Sequence, residues 1–335
     1  MTERVQLERR ASTVLYRYLC SAARPGIWLL PANVCPIVPA VFSKAGIGYE
    51  FVDIDLQSLC MDPARALLQI EKAADRYAGL LFVRSYGHSG NFSSFFRAVK
   101  AIDANLKVID DRCLARPRFA SLEEDADLEL YSSGYSKFVE LGWGGWGILR
   151  YDAPYLPAIL PFESGAHEDL VAQFRKTLKE RCIFDCPATH WLDMRAPDMG
   201  AEEFRFSVES RIEESARHRE RLNAVYAEQL EAWAAPAQCR DWRFTLFCDC
   251  QQDLLRLIFG AGHFASAHFD SLAPMFGPGV VPVADSCGKR VVNLFNDFRY
   301  DAERASHLAK IVRTFLEDHP AHSYAAVNDF ARQGG

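Results

Sequence analysis

The run Tyr131-Ser132-Ser133-Gly134-Tyr135-Ser136-Lys137 puts a lysine among small hydroxyl residues, just past the apolar segment Leu128-Glu129-Leu130. It leads into a glycine- and tryptophan-rich turn, Gly142-Trp143-Gly144-Gly145-Trp146-Gly147. An amine at such a place, shielded from water, loses its proton more easily and can form a Schiff base with an aldehyde. The turn is not a nucleotide-phosphate loop, because no Lys-Ser or Lys-Thr follows its glycines. It reads as a tight turn into a strand.

A phosphorylated, nitrogen-containing ring that carried the aldehyde would need three further things. Its ring nitrogen needs a carboxylate to keep it protonated, so that the ring can accept electrons. Asp111 ends the apolar run Leu106 to Ile109 and suits that role, whereas Asp110 reads as a turn residue. The phosphate needs donors. Ser12 or Thr13 at a helix start, and Ser132, are the candidates, helped by backbone N–H groups. The ring also needs a stacking partner.

These residues must be positioned by secondary structure, and the hydrophobic pattern shows which. A helix is expected over 7–19, then strands at 27–30 and 49–54 with a helix over 34–45 between them. Asp62 and Pro63 start a helix running to about Tyr77. The run 79–83 reads as a strand buried on both faces, 95–104 as a helix, and 106–109, 128–131 and 147–149 as strands. Alternating strands and helices predict an α/β fold with a mostly parallel sheet, whose ligands bind beyond the carboxyl ends of the strands. Tyr86-Gly87-His88, Asp110-Asp111 and Ser132 to Lys137 should therefore share one sheet edge. A charged helix over 201–234 reads as a link to a small α+β domain. The expected organisation is a large domain at 1–200, a linking helix at 201–235 and a C-terminal domain at 236–335.

Composition narrows the class. The net charge of −6 and the lack of a basic run give no reason to expect a nucleic-acid partner. No apolar stretch approaches the ~18 residues a membrane span needs, and the charged start Met1-Thr2-Glu3-Arg4 is unlike a signal peptide. A soluble, cytoplasmic protein is expected. The ten cysteines lack zinc spacing: Cys182 with Cys186 and Cys248 with Cys250 have no second pair in register, so no metal site is expected.

Four segments, LLPANVCPIVPAVFSKAGIGYEFVDID at 29–55, LFVRSYGH at 81–88, VIDD at 108–111 and YSSGYSKFVELGWGGWGIL at 131–149, occur in the order and spacing of one family. Over about residues 10–150 the chain resembles the DegT/DnrJ/StrS sugar aminotransferases. The resemblance implies the type I pyridoxal-phosphate fold, with a small C-terminal domain. It also implies a homodimer that uses pyridoxal 5'-phosphate to move an amino group from a donor such as glutamate to a keto-sugar, nucleotide-linked. By position, Lys137 matches the Schiff-base lysine, Asp111 the partner of the pyridine nitrogen and Ser132 a phosphate-binding serine. Ser12 or Thr13 matches the phosphate loop. Cys35 falls where an aromatic residue often lies against the ring, and Leu114 where a glutamine often sits. His88 follows a Tyr-Gly turn like the family's and is expected to face substrate, as is His268 from the small domain. Arg10-Ala11-Ser12 replaces the family's Ser-Gly-Thr, and its Gly-Tyr-Asn segment has no counterpart near 185–200. Another pyridoxal-phosphate reaction, or a binding or regulatory protein without turnover, remain the alternatives.

Overall fold

The computed structural model describes residues 3–21, 25–120, 122, 123, 125–155 and 160–319. Strand β1 (Glu3–Glu8) precedes helix α1 (Ala11–Ser21), followed by β2 (Ile27–Pro31), α2 (Ile37–Lys44), β3 (Tyr49–Val52) and α3 (Pro63–Lys72). Next come β4 (Tyr77–Val83), α4 (Ser93–Ile102), β5 (Lys107–Asp111), β6 (Leu128–Ser132) and β7 (Gly145–Arg150). These seven strands form one sheet in the order β1-β7-β6-β5-β4-β2-β3. Neighbours from β3 to β6 pair in parallel, while β7 pairs antiparallel with both β6 and β1. A mostly parallel sheet covered by helices is the α/β architecture expected, and every residue of β4 is buried.

Two boundaries differ most from expectation. The predicted helix over 7–19 divides into β1 and α1. Val5 and Leu7 alternate with polar neighbours and pair against β7, a period-two pattern that Leu7's fit to the helical stripe had hidden. The helix from Pro63 ends at Lys72, and Tyr77 opens β4, where it pairs with Ile27. Its start is as expected: the Asp62 carboxylate accepts from the N–H groups of Ala64 and Arg65, at 2.9 and 3.2 Å.

After helix α5 (Ser164–Glu180), the long α6 (Ala201–Leu230) carries the chain to a second sheet. There β8 (Phe244–Phe247), α7 (Gln251–Gly260), β9 (Ala265–Ser266), α8 (Pro282–Gly288), β10 (Val291–Leu294) and α9 (Ala302–Asp318) follow. This sheet is antiparallel in the order β8-β10-β9. Helix α6 touches both cores. Phe204, Val208 and Ala216 pack with Trp146 and Ile148 of the first sheet, and Leu222, Tyr226 and Leu230 pack with Leu246 and Leu294 of the second. The segment between β9 and β10 returns to the large sheet: Leu272 N–H donates to the Ala32 carbonyl at 2.9 Å. The Asp53 carboxylate caps α8 by accepting from Val283 and Ala284 at 3.0 and 2.9 Å. This return closes one wall over the carboxyl ends of the parallel strands. Residues 320–335 lie outside the described residues. No helix among the described residues is long and apolar enough to cross a membrane.

Candidate active site

Successive side chains on a strand point to opposite faces, and the end of β5 uses this to separate two aspartates. Asp110 is fully buried. It accepts from Arg84 Nε and Nη2 at 2.9 and 2.8 Å and from Arg112 Nε at 2.7 Å. Burial pushes its pKa up, but the two guanidiniums more than offset this and hold the carboxyl below its ordinary value. Asp110, expected as a turn residue, is thus the centre of an ion-pair network that continues through Glu123, Glu129 and Arg118.

Asp111 faces the other way and has no such pairing. It accepts the Cys113 N–H at 2.9 Å and is 5% exposed. Burial raises its pKa, with Cys113 N–H and the Lys137 charge pulling the other way. A buried carboxylate that Cys113 meets with both its N–H and its thiol, and that makes no ion pair among the described residues, lacks a full charge partner. That is the environment a protonated ring nitrogen would complete.

Lys137 is held by its backbone. Trp242 Nε1 donates to the Ser136 carbonyl at 2.7 Å, and Arg219 Nη2 to the carbonyls of Lys137 and Phe138 at 3.0 and 3.2 Å. Ser136 N–H donates to Glu140 at 2.8 Å, with Ser136 itself at φ 59°, in the left-handed region. The Arg219 and Trp242 fastenings come from α6 and from the segment just before β8, so the second half of the chain fixes the lysine that follows β6. A cavity of about 320 Å³ is lined by Phe138, Glu140, Arg211, His218, Arg219 and Asp297, without Lys137.

The cleft brings four predicted residues together. Cys35 feels the charges of both Lys137 and Asp111, and His268 feels that of Lys137. Cys35 and His268 are reachable from solvent yet closely surrounded by protein, as residues on the wall of a deep cleft are. Burial raises the Cys35 thiol's pKa. Burial, then Arg243 and Lys137, lower that of His268, so its imidazole is neutral at physiological pH. The His268 ring packs by Trp242 and Phe269, which stack with ring centroids 5.6 Å apart and also meet Tyr86. Leu114 is buried.

Ser132 lies at the end of β6, its Oγ accepting from the Gly134 N–H at 3.2 Å. Beside it the N-terminus of α1 packs against β7. A Cβ added at Gly145 would lie 2.0 Å from the Ala11 nitrogen, with only backbone atoms nearest it. Gly145→Ala is therefore expected to cost about 3 kcal/mol of stability by overpacking, measured as a lower urea midpoint. An unchanged midpoint would mean that α1 can shift. Ser12 is half-buried in the first turn of α1, where N–H groups have no partner within the helix.

Two predicted positions are used otherwise. The buried Thr13 hydroxyl, expected as a phosphate donor, donates to the Asp193 carbonyl at 2.7 Å. His88, expected to face substrate, is 5% exposed. Its Nδ1 accepts the Gly90 N–H at 2.9 Å and its ring packs against Phe92. Burial and then Arg84 drive its pKa down to about 4, so it is a neutral residue packed behind the strand ends. Sequence reasoning missed Cys113, Trp242 and Arg219. Cys113 follows Asp111 by two residues and signals itself by that spacing, but the other two act across 106 and 82 positions of sequence.

The residues present fit pyridoxal phosphate at three points: an amine (Lys137), a buried carboxylate lacking a full partner (Asp111) and a donor-bearing flank (Ser132 with the α1 N-terminus). No protein-family profile and no curated protein matches the sequence. Solved structures do match. A DegT DnrJ EryC1 StrS aminotransferase from Brucella abortus aligns with TM-score 0.68 and 16% identity, over 93% of this chain and 86% of its own. A sugar aminotransferase from Micromonospora echinospora aligns with TM-score 0.67 and 19% identity, over 92% and 87%. The enzyme DesI, solved in the presence of its TDP-sugar product, aligns with TM-score 0.66 and 17% identity, over 95% and 83%. The chain has the fold of the pyridoxal-phosphate-dependent aminotransferases. At these identities the likeness is one of architecture.

Proposed function

We propose that this chain is a pyridoxal-phosphate-dependent aminotransferase that takes an amino group from an amino acid, glutamate being the expected donor, and gives it to a keto-sugar, nucleotide-linked. The observation that carries this reading is that Lys137 and Asp111, which follow or end two neighbouring strands of this fold, lie close enough for the Lys137 charge to pull the Asp111 pKa down. Bound there, the cofactor would supply an aldehyde for the amine and a ring able to accept electrons. Asp111 would hold the ring nitrogen's proton. Lys137 Nζ, displaced by the donor amine, would carry a proton between carbon centres as general base and then acid. Ser132, Ser12 and the N–H groups of α1 would receive the phosphate. Cys35 would lie against the ring, a smaller contact than an aromatic residue gives. His268, neutral and exposed, would meet the acceptor.

The sugar acceptor rests on what the structural neighbours are described as binding. A homodimer and a cytoplasmic setting belong to the same reading. All ten cysteines are unpaired, as thiols in a reducing compartment are. As domains we retain 1–200 and 236–335 joined by 201–235, with residues 271–288 lying against the large sheet.

The test is spectroscopic. L-glutamate added to the cofactor-loaded protein is expected to bleach the visible band, and a nucleotide-linked keto-sugar to restore it. A band that no amino acid bleaches would favour a binding or regulatory role. Bleaching without recovery on any keto-sugar would point to another acceptor class.

A further inference from the structure

The phosphate flank contains a cation at a position where the resemblance leads one to expect a small residue. Arg10 immediately precedes α1, and its Nη1 donates to the Gly142 carbonyl at 3.2 Å. The same Nη1 lies 3.7 Å from where a Cβ on Gly134 would be, and that point is 3.4 Å from Ser132 Oγ. Arg10 and Ser132 thus flank Gly134 together, beside the N–H groups that open α1. Among the described residues Arg10 makes no ion pair with a carboxylate. Its neighbour Arg9 takes both nearby acids, Asp193 and Asp198, and Asp193 is further engaged by Arg195. Burial and then the Arg10 charge lower the pKa of His167. A half-buried guanidinium with most of its five donors uncommitted, next to a serine and a helix N-terminus, is a site for a dianionic oxyanion.

We propose that Arg10 binds the cofactor's phosphate, directly and from within the same chain, in place of the Thr13 hydroxyl that Asp193 has withdrawn. The proposal rests on the function proposed above. A chain with Arg-Ala-Ser at the helix start would then favour a phosphorylated ligand because the missing hydroxyl donor is replaced by a fixed positive charge. The fork of a guanidinium can also span two phosphate oxygens, which a single hydroxyl cannot.

Cofactor-free protein titrated separately with pyridoxal phosphate and with unphosphorylated pyridoxal, followed by absorbance, isolates the phosphate contribution. In Arg10→Met the affinity for pyridoxal phosphate should fall about ten- to a hundred-fold, the size of one charge-assisted contact, while that for pyridoxal stays unchanged. Arg10→Lys, which keeps the charge but not the fork, should recover part of the loss. An unchanged ratio between the two ligands in both variants would overturn the role of Arg10 and leave the cofactor site standing. Equal weakening of both ligands would also overturn it, since Arg10 would then be shaping the cleft rather than binding phosphate. Wild-type protein that binds neither ligand would remove the proposed function itself.

Discussion

Lys137→Ala is expected to lower amino-transfer turnover by at least about ten-thousand-fold, the upper range for removing a positioned acid–base group, with the attachment point for the cofactor's aldehyde lost as well. The fold should survive. The Lys137 backbone is held by Arg219 through a carbonyl that alanine also has, and neighbouring Ser136 by Trp242 in the same way. The side chain is half-exposed, so little packing is lost. Unfolding measured without cofactor should therefore change by less than about 1 kcal/mol, as for a substitution outside the core. A large loss of stability would show that Lys137 is structural. Asp111 should respond too, because the charge that pulls its pKa down is gone.

Asp111→Asn is expected to cut turnover by about a hundred- to a thousand-fold, as removal of one preorganised electrostatic partner does, yet to leave the cofactor-free fold intact or firmer. The sign follows from burial. A carboxyl whose pKa is raised in the folded state binds its proton more tightly there than in the unfolded chain. Its contribution to stability is full below the unfolded value of about 4, and is lost as pH rises through the folded value. Cofactor-free wild type should therefore lose stability relative to Asp111→Asn between pH 4 and neutral, measured as paired urea midpoints. Asparagine can still accept the Cys113 N–H, so that hydrogen bond does not confound the comparison. If wild type instead gains on the variant as pH rises, Asp111 is stabilised by an ion pair and is not a carboxylate awaiting a cation.

The contrast between Asp110 and Asp111 also shows how far a sequence could be read here. The parallel sheet was legible because each of its strands is a short apolar run between helix signals, and strand ends place ligands. Lys137, Asp111 and Ser132 were singled out from that rule together with the resemblance of four ordered segments. Two adjacent aspartates have opposite duties, and the pleat of β5 decides which is which. Asp110 was misread as a turn because its partners, Arg84 and Arg112, become partners only when β4 and β5 lie side by side. The use of the Thr13 hydroxyl was hidden for a similar reason, since it is claimed by a carbonyl 180 residues later. The His88 ring was claimed locally, by the Gly90 N–H. Arg10 looked like a defect in a phosphate motif until the turn at Gly142 and Gly134 was seen to lie beside it. Which side chains stand at strand ends could be read from the chain, whereas competition for hydrogen-bond partners could not, because it depends on residues brought together only by the fold.

Borohydride reduction of the pyridoxal-phosphate-loaded protein, followed by peptide mass mapping, tests the central claim most directly. The proposed site predicts one pyridoxyl-phosphate adduct, on Lys137, and its absence in Lys137→Ala. An adduct on another lysine, or no adduct on a protein that has visibly taken up cofactor, would contradict it.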